Sequence, residues 1–270
     1  MAKQKERLDV LLVNQGYFDS RARAQGAIMA GQVHVDGQMV DKPGQRISPD
    51  ATIEVQGKKF PFVSRGGLKL QRAVEHFQLD LQDKVVLDIG ASTGGFTDCA
   101  LRHGAKRVYA VDVGYGQLAW ELRQDERVVV LERTNARYLT AEHVPEPVDI
   151  TTIDVSFISL GLILPAVVAL LMPAADVIAL IKPQFEAGRQ QVGKKGVVRD
   201  PAVHAQVIKK VWDEASQLGL SLSGLTYSPI TGPEGNIEFL AWFRHGGQQT
   251  GSEDVVQQVV QEAHDVLGKR

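Results

Sequence analysis

The chain has 270 residues, 44% hydrophobic and 23% charged, with a formal net charge of −2. That balance fits about two globular domains and excludes a wholly disordered chain or a uniformly polybasic nucleic-acid binder, though not a local basic face. The single cysteine, Cys99, excludes an internal disulfide; with seven scattered histidines it also argues against a zinc cluster of the usual kind. No metal is expected, and a reducing cytoplasm is the expected compartment.

The first nine residues, MAKQKERLD, are polar and charged, unlike the apolar stretch of a signal peptide. Leu8, Leu11 and Leu12 then fall at helical spacing, predicting a helix over Arg7–Gln15 that Gly16 ends. Ser20 is the expected N-cap of a second helix running to Ala30 and closed by Gly31. Gln32–Val35 alternates like a strand, Asp36-Gly37 predicts a hairpin turn, and Thr52–Val55 reads as a further strand. Residues 1–60 carry a net charge of +2 and the remainder −4. Gly57–Phe62 has linker composition, so the expected organisation is a small domain over 1–58, a linker over 59–63 and a large domain over 64–270.

Beyond the linker, β-rich runs alternate with helical segments. Strands are predicted at Lys84–Ile89, Arg107–Val111, Arg127–Leu131, Val148–Asp154, Val177–Ile181 and Glu238–Phe243, and helices at Asp200–Gly219 and Ser252–Gly268. Such alternation predicts an α/β fold with a mostly parallel sheet covered on both faces. Val155–Ala175 lacks charge over a length that would nominate a membrane span. Pro165, Pro173, Ser156, Ser159 and Gly161 interrupt it, and strand–helix–strand segments of a buried core explain it better.

A glycine-rich turn follows the first strand of the large domain: Asp88-Ile89-Gly90-Ala91-Ser92-Thr93-Gly94-Gly95-Phe96. Such a turn lets backbone amides approach a ligand at the start of a helix. The glycine spacing fits no dinucleotide fingerprint, and Phe96 stands where a phosphate-binding loop needs lysine. The pattern resembles the first motif of S-adenosylmethionine-dependent methyltransferases. Asp88, Gly90, Ser92, Gly94, Gly95 and Phe96 are therefore candidate cofactor residues. Asp112, ending the next strand, suits ribose hydroxyls, and Asn135, ending the third, suits an adenine amino group.

Asp154 and Lys182 end the fourth and fifth strands, Glu238 opens a late strand, and Lys69 lies on the helix after Ser64-Arg65-Gly66-Gly67. Ligands of open α/β sheets bind outside the C-terminal strand ends, so these four residues are expected to meet beside the glycine-rich turn. Their order resembles the K-D-K-E tetrad of the FtsJ/RrmJ-type RNA ribose 2′-O-methyltransferases. The first domain resembles an S4 RNA-binding domain through Arg7, Arg21, Arg23 and the Gly31–Gly37 turn. Together they resemble the TlyA (hemolysin A) family, supported by Val63–Gly67, Gly114–Trp120, Glu132–Arg137, Lys182–Glu186 and Gly193–Val198.

The resemblance implies methyl transfer from S-adenosylmethionine to a ribose 2′-oxygen of ribosomal RNA, at cytidine, on RNA or on ribosomal subunits. It implies no membrane association and no obligate protein partner. Lys69, Asp154, Lys182 and Glu238 are the implied catalytic residues, with Lys182 nearest the reacting oxygen. Arg7, Arg21, Arg23 and Lys42 are the implied phosphate contacts of the S4-like domain, and Arg65, Lys194, Lys195 and Arg199 extend them. The Gly- and Lys-rich loop Glu186–Arg199 is expected to move before RNA binds. Cys99 reads as a small core residue. Two other classes compete: a membrane-acting hemolysin, and a ribosome-binding module without catalysis.

Overall fold

The computed structural model describes residues 5–268, apart from 16, 19, 30, 50, 56–60, 194, 195, 233, 234 and the side chain of 189. Gly16, Ala30, Lys59 and Phe60 of the linker, Lys194 and Lys195 therefore lie outside the described residues. The chain divides into two compact units, Met1–Ser64 and Arg65–Arg270.

In the first unit, β1 (Glu6–Arg7) leads directly into α1 (Leu8–Asn14), followed by α2 (Arg21–Met29). Three short strands follow in a sheet ordered β3 (Gln38–Met39), β2 (Val33–Val35), β5 (Ile53–Val55), while β4 (Arg46–Ile47) pairs with β1. Asp36 and Gly37 both take positive φ, at 50° and 79°, as a tight hairpin turn requires. Leu8, Leu11, Leu12, Ala24, Ile28 and Val33 form the core. The β1–β4 ladder is too short to leave a sequence pattern, and it was not expected.

The second unit opens with α3 (Gly67–Phe77). It continues through β6 (Val85–Ile89), α4 (Gly95–Arg102), β7 (Arg107–Val111), α5 (Trp120–Arg123), β8 (Val128–Leu131) and β9 (Val148–Ile153). Then come α6 (Leu164–Val168), β10 (Leu171–Ile181), α7 (Pro183–Glu186), α8 (Pro201–Gln217), β11 (Leu220–Tyr227), β12 (Phe239–His245) and α9 (Glu253–Leu267). One seven-stranded sheet is ordered β11-β12-β10-β9-β6-β7-β8. From β10 to β8 the pairings are parallel, and β12 runs antiparallel to both β10 and β11. β6 and β9 are fully or largely buried, consistent with helices on both faces. Chain order reverses between β6 and β9, which opens a crevice at their C-terminal ends.

Two expectations are corrected. The Val177–Ile181 strand begins earlier, at Leu171, because a register shift between Leu171 and Asp176 carries the chain past an irregular stretch. Leu220–Tyr227 is an additional edge strand. The apolar stretch Val155–Ala175 is shared among a loop, a short 3-10 turn, α6 and the first part of β10. Among the described residues, no helix is long and apolar enough to cross a membrane.

Candidate active site

The crevice at the β6–β9 switch collects the four predicted polar residues. Asp154 follows β9, and its main-chain N–H donates to the Ile89 carbonyl at 2.9 Å, which pins it to the end of β6. Lys182 follows β10, Glu238 precedes β12, and Lys69 sits in the first turn of α3. Lys182 Nζ lies 2.5 Å from Asp154 Oδ1, and Lys69 Nζ lies 3.4 Å from Asp154 Oδ2 and 2.8 Å from Glu238 Oε2. The result is one chain of alternating charge, Lys182–Asp154–Lys69–Glu238. Glu238 thus serves Lys69, while Lys182 rests on Asp154 and donates to Ser156 Oγ at 3.0 Å.

Burial makes this balance stringent. Glu238 is fully buried, and Lys69 and Lys182 are nearly so. Burial disfavours the charge on Lys69, but Asp154 and Glu238 outweigh it and raise its pKa above the usual lysine value. Burial likewise opposes the Asp154 carboxylate, yet Lys69 and Lys182 hold it below the ordinary range. Glu238 Oε1 is buried without a hydrogen-bond partner among the described residues. Gly232 packs so close to this carboxylate that a Cβ would collide with it.

The glycine-rich turn lies beside this chain. Gly90 has φ +84°, and a Cβ there would strike the Asp154 carbonyl; at Gly94, φ is +98° and a Cβ would meet Leu122 and Leu118. Both glycines are therefore required by backbone shape and close approach. Ser92 is exposed, and its N–H donates to Asp112 Oδ2 at 2.8 Å, while Gly114 N–H donates to Asp112 Oδ1 at 2.7 Å. Asp112 thereby joins the end of β7 to the turn and keeps lone pairs for further donors. Gly95 and Phe96 begin α4 and are buried.

Two cofactor candidates are engaged within the protein. Asp88 is fully buried beneath the turn, where Thr97 and Thr152 hydroxyls donate to it at 2.7 and 3.0 Å. Burial, first among the causes, raises its pKa to about 6. Asn135 is exposed, but its side-chain oxygen caps the following 3-10 turn by accepting from Arg137 N–H at 3.1 Å. The remaining lip residues fit a nucleoside-bearing ligand: an acidic strand end, an exposed loop amide segment and the exposed Val113 beside Asp112.

Three residues at the crevice escaped the sequence reading in any specific role. Ser156 accepts from Lys182. Phe157 is 89% exposed, takes φ +64°, and packs on Phe185 with ring centroids 4.8 Å apart. Lys182 Nζ lies 6.0 Å from the Phe185 ring. An exposed aromatic in left-handed backbone is a marked feature for a bulky residue, and no pattern in sequence signals it.

The predicted RNA contacts fall into separate groups. Arg7 and Arg21 both bind Asp9, a fully buried carboxylate, at 3.0 and 2.9 Å, and Gln25 adds a bond at 2.7 Å. Hydrogen bonding from Arg7 is the main cause that holds the Asp9 carboxyl well below the usual range. About half of each arginine side chain remains exposed. Arg23 and Lys42 are exposed. In the second unit, Arg65 is half-buried and donates to the Thr231 carbonyl at 3.0 Å, while Arg199 is exposed. The loop expected to move is anchored in its described parts: Glu186, Val197 and Val198 are buried, and Val198 N–H donates to Asn236 at 3.2 Å. Cys99 is buried in α4, and burial pushes its thiol pKa up.

A family model of FtsJ-like methyltransferases matches residues 62–245, and one of S4 domains matches residues 6–53. The Bacillus subtilis protein YqxC, provisionally named an rRNA methyltransferase, is 54% identical over 276 aligned residues, covering 100% of this chain and 98% of the relative. The 16S/23S rRNA (cytidine-2'-O)-methyltransferase TlyA of Mycobacterium tuberculosis is 44% identical over 264 residues, covering 96% of this chain and 98% of the relative. A solved structure from Streptococcus thermophilus, provisionally titled a hemolysin, is 46% identical with a TM-score of 0.86, covering 99% of this chain and 98% of the other.

Proposed function

The chain belongs to the TlyA family of FtsJ-like methyltransferases carrying an S4 domain, and from that premise we propose that it methylates the ribose 2′-oxygen of cytidine in ribosomal RNA. The observation that carries this reading is the buried Lys182–Asp154–Lys69–Glu238 chain beside a glycine-rich turn at the sheet's switch point. S-adenosylmethionine, held by the Gly90–Gly95 turn and Asp112, supplies the electrophilic methyl group.

A ribose hydroxyl is a weak nucleophile at neutral pH. Lys182 stabilises the charge that develops on its oxygen as the new O–C bond forms, while the methyl–sulfur bond breaks to leave neutral S-adenosylhomocysteine and the hydroxyl proton passes to water. Asp154 and Ser156 fix the Lys182 amine from two sides, so little reorganisation accompanies reaction. Lys69 neutralises the second Asp154 oxygen and the Glu238 carboxylate, which keeps the local charge balanced in a buried setting. Phe157 offers an exposed ring against which the base of the target nucleotide can stack.

Arg7, Arg21, Arg23 and Lys42 hold structured RNA through phosphates, and Arg65, Lys194, Lys195 and Arg199 add contacts from the large unit. The substrate places the protein in the cytoplasm. No observation favours lysis, since the apolar stretch that would nominate it supplies core elements instead.

The test is incubation with labelled S-adenosylmethionine and ribosomal subunits lacking the modification, followed by digestion to nucleosides. Label in 2′-O-methylcytidine supports the reading. Label on a base, or none on either subunit, refutes it.

A further inference from the structure

Glu186 is a buried carboxylate that the proposed chemistry does not use. Its side chain is 2% exposed, and it closes the short helix α7 that begins directly after Lys182. Its Oε2 accepts from Ser159 Oγ at 2.7 Å, and its Oε1 accepts from the Leu160 main-chain N–H at 2.7 Å. From α8, Lys210 Nζ approaches Oε2 and the Glu186 carbonyl, each at 3.3 Å.

These bonds join two loops that the reaction needs together. One, residues 154–160, carries Asp154, the Ser156 hydroxyl that accepts from Lys182, and the exposed ring of Phe157. The other, residues 182–186, carries Lys182 itself and Phe185. The first loop holds Phe157 in left-handed backbone, which persists only where the surroundings impose it. Asp154, bonded to the end of β6, anchors the loop at one side, and Glu186 grips Ser159 and Leu160 at the other.

We infer that Glu186 is a positioning residue for methyl transfer: it clamps the 154–160 loop to the Lys182 turn and so sets the Lys182–Ser156 and Phe157–Phe185 contacts. The inference rests on the proposed methyltransferase reading. The Glu186 side chain makes its hydrogen bonds and ion pair with Ser159, Leu160 and Lys210 and none with the four tetrad side chains, so its effect must pass through loop geometry. Losing it is expected to leave the S-adenosylmethionine turn intact, because Asp112 and Asp88 hold that turn through bonds that do not involve Glu186.

The experiment compares wild type with Glu186→Ala, Glu186→Gln and Ser159→Ala in the full chain, at a temperature where circular dichroism shows each folded. Single-turnover methyl transfer at saturating subunits and S-adenosylmethionine gives the rate, and equilibrium titration gives cofactor affinity. Glu186→Ala is expected to slow transfer at least tenfold with cofactor affinity within twofold. Glu186→Gln, which keeps an acceptor for Leu160 N–H, is expected to recover most of the rate. Ser159→Ala, which spares the carboxylate, is expected to give a smaller loss of the same kind and serves if Glu186→Ala does not fold. A folded Glu186→Ala with full rate overturns the inference, as does parallel loss of rate and cofactor affinity, or a glutamine variant no better than alanine. If Glu186→Ala does not fold, an undiminished rate in Ser159→Ala overturns it.

An activity-independent readout separates this from failure of the functional reading. Nuclear Overhauser contacts between the Phe157 and Phe185 rings should be present in wild type and lost in Glu186→Ala, or weakened in Ser159→Ala if the former does not fold. If wild type transfers no methyl yet these contacts change as expected, the functional reading fails and the clamp stands. If the contacts persist unchanged in the variant, the clamp fails.

Discussion

Lys182 and Glu238 stand one residue beyond Ile181 and Phe239, which are partners in the β10–β12 ladder, yet each takes a different ion-pair partner. Lys69 reaches in from α3 to take Glu238, which leaves Lys182 on Asp154 and Ser156 with its amine toward the crevice. The helix therefore decides which lysine pairs with Glu238 and which is left to Asp154 and Ser156.

This division predicts distinct losses. Lys69→Ala leaves Glu238 buried with neither oxygen paired, and should destabilise the protein by about 3–5 kcal/mol. Lys69→Met combined with Glu238→Leu should recover much of that stability but not the activity. Denaturant unfolding of Lys69→Ala and the double variant, alongside methyl transfer, checks both halves.

The glycine-rich turn predicts a cofactor-specific defect. Gly90→Ala places a methyl on the Asp154 carbonyl in a left-handed backbone, a strain of roughly 1–3 kcal/mol. Cofactor affinity should fall about tenfold or more, and transfer should fall with it because Asp154 is displaced. Calorimetric titration with S-adenosylmethionine measures the first effect; an affinity equal to wild type counts against the role given to this turn.

Acid should act on stability through two buried groups with opposite sign. Asp88, raised to about 6 by burial, binds a proton in the folded state that the unfolded chain releases above its ordinary value of 3.8. Its contribution therefore rises as pH falls from about 7 to about 4, by up to roughly 3 kcal/mol. His204, lowered to about 4 by burial and by His264, contributes stability that is present above 6.5 and lost as pH falls toward 4. Thermal melts from pH 7 to 4.5 should show Asp88→Asn losing stability more steeply than wild type, and His204→Gln less steeply.

RNA affinity should depend on salt through the first unit. Arg21→Ala and Lys42→Ala should each make the logarithmic salt dependence of subunit binding shallower by about one, without changing cofactor affinity. Filter binding across a range of potassium concentrations reads the slope. An unchanged slope would remove these residues from the RNA interface.

The parts of the site that were legible in sequence are those fixed by strand ends. Asp154 and Lys182 follow parallel strands and Glu238 precedes the antiparallel β12, so all three strand ends fall on one rim. Lys69 was the least legible of the four, as a charge that balances the others and then as a match to the family tetrad, since a helix lysine has no pattern that aims it at a sheet. Asp88 lies within β6 near its end, where the sequence looks the same whether the carboxylate faces ligand or lies beneath the turn. Only the bonds from Thr97 and Thr152 distinguish the two. Ser156, Phe157 and Glu186 depend on how two irregular loops meet, and no periodicity encodes that meeting. The edge strand Leu220–Tyr227 was missed because Ser and Gly break its apolar run, with a register shift between Leu222 and Gly224.

The central claim is that Lys182, held by Asp154, drives transfer of the methyl group to RNA. Single-turnover transfer by Lys182→Ala, with cofactor affinity measured on the same preparation, tests it most directly. The rate is expected to fall about a hundredfold or more below wild type, with affinity for S-adenosylmethionine within twofold. A folded Lys182→Ala protein that binds cofactor normally and transfers methyl within threefold of the wild-type rate would contradict it.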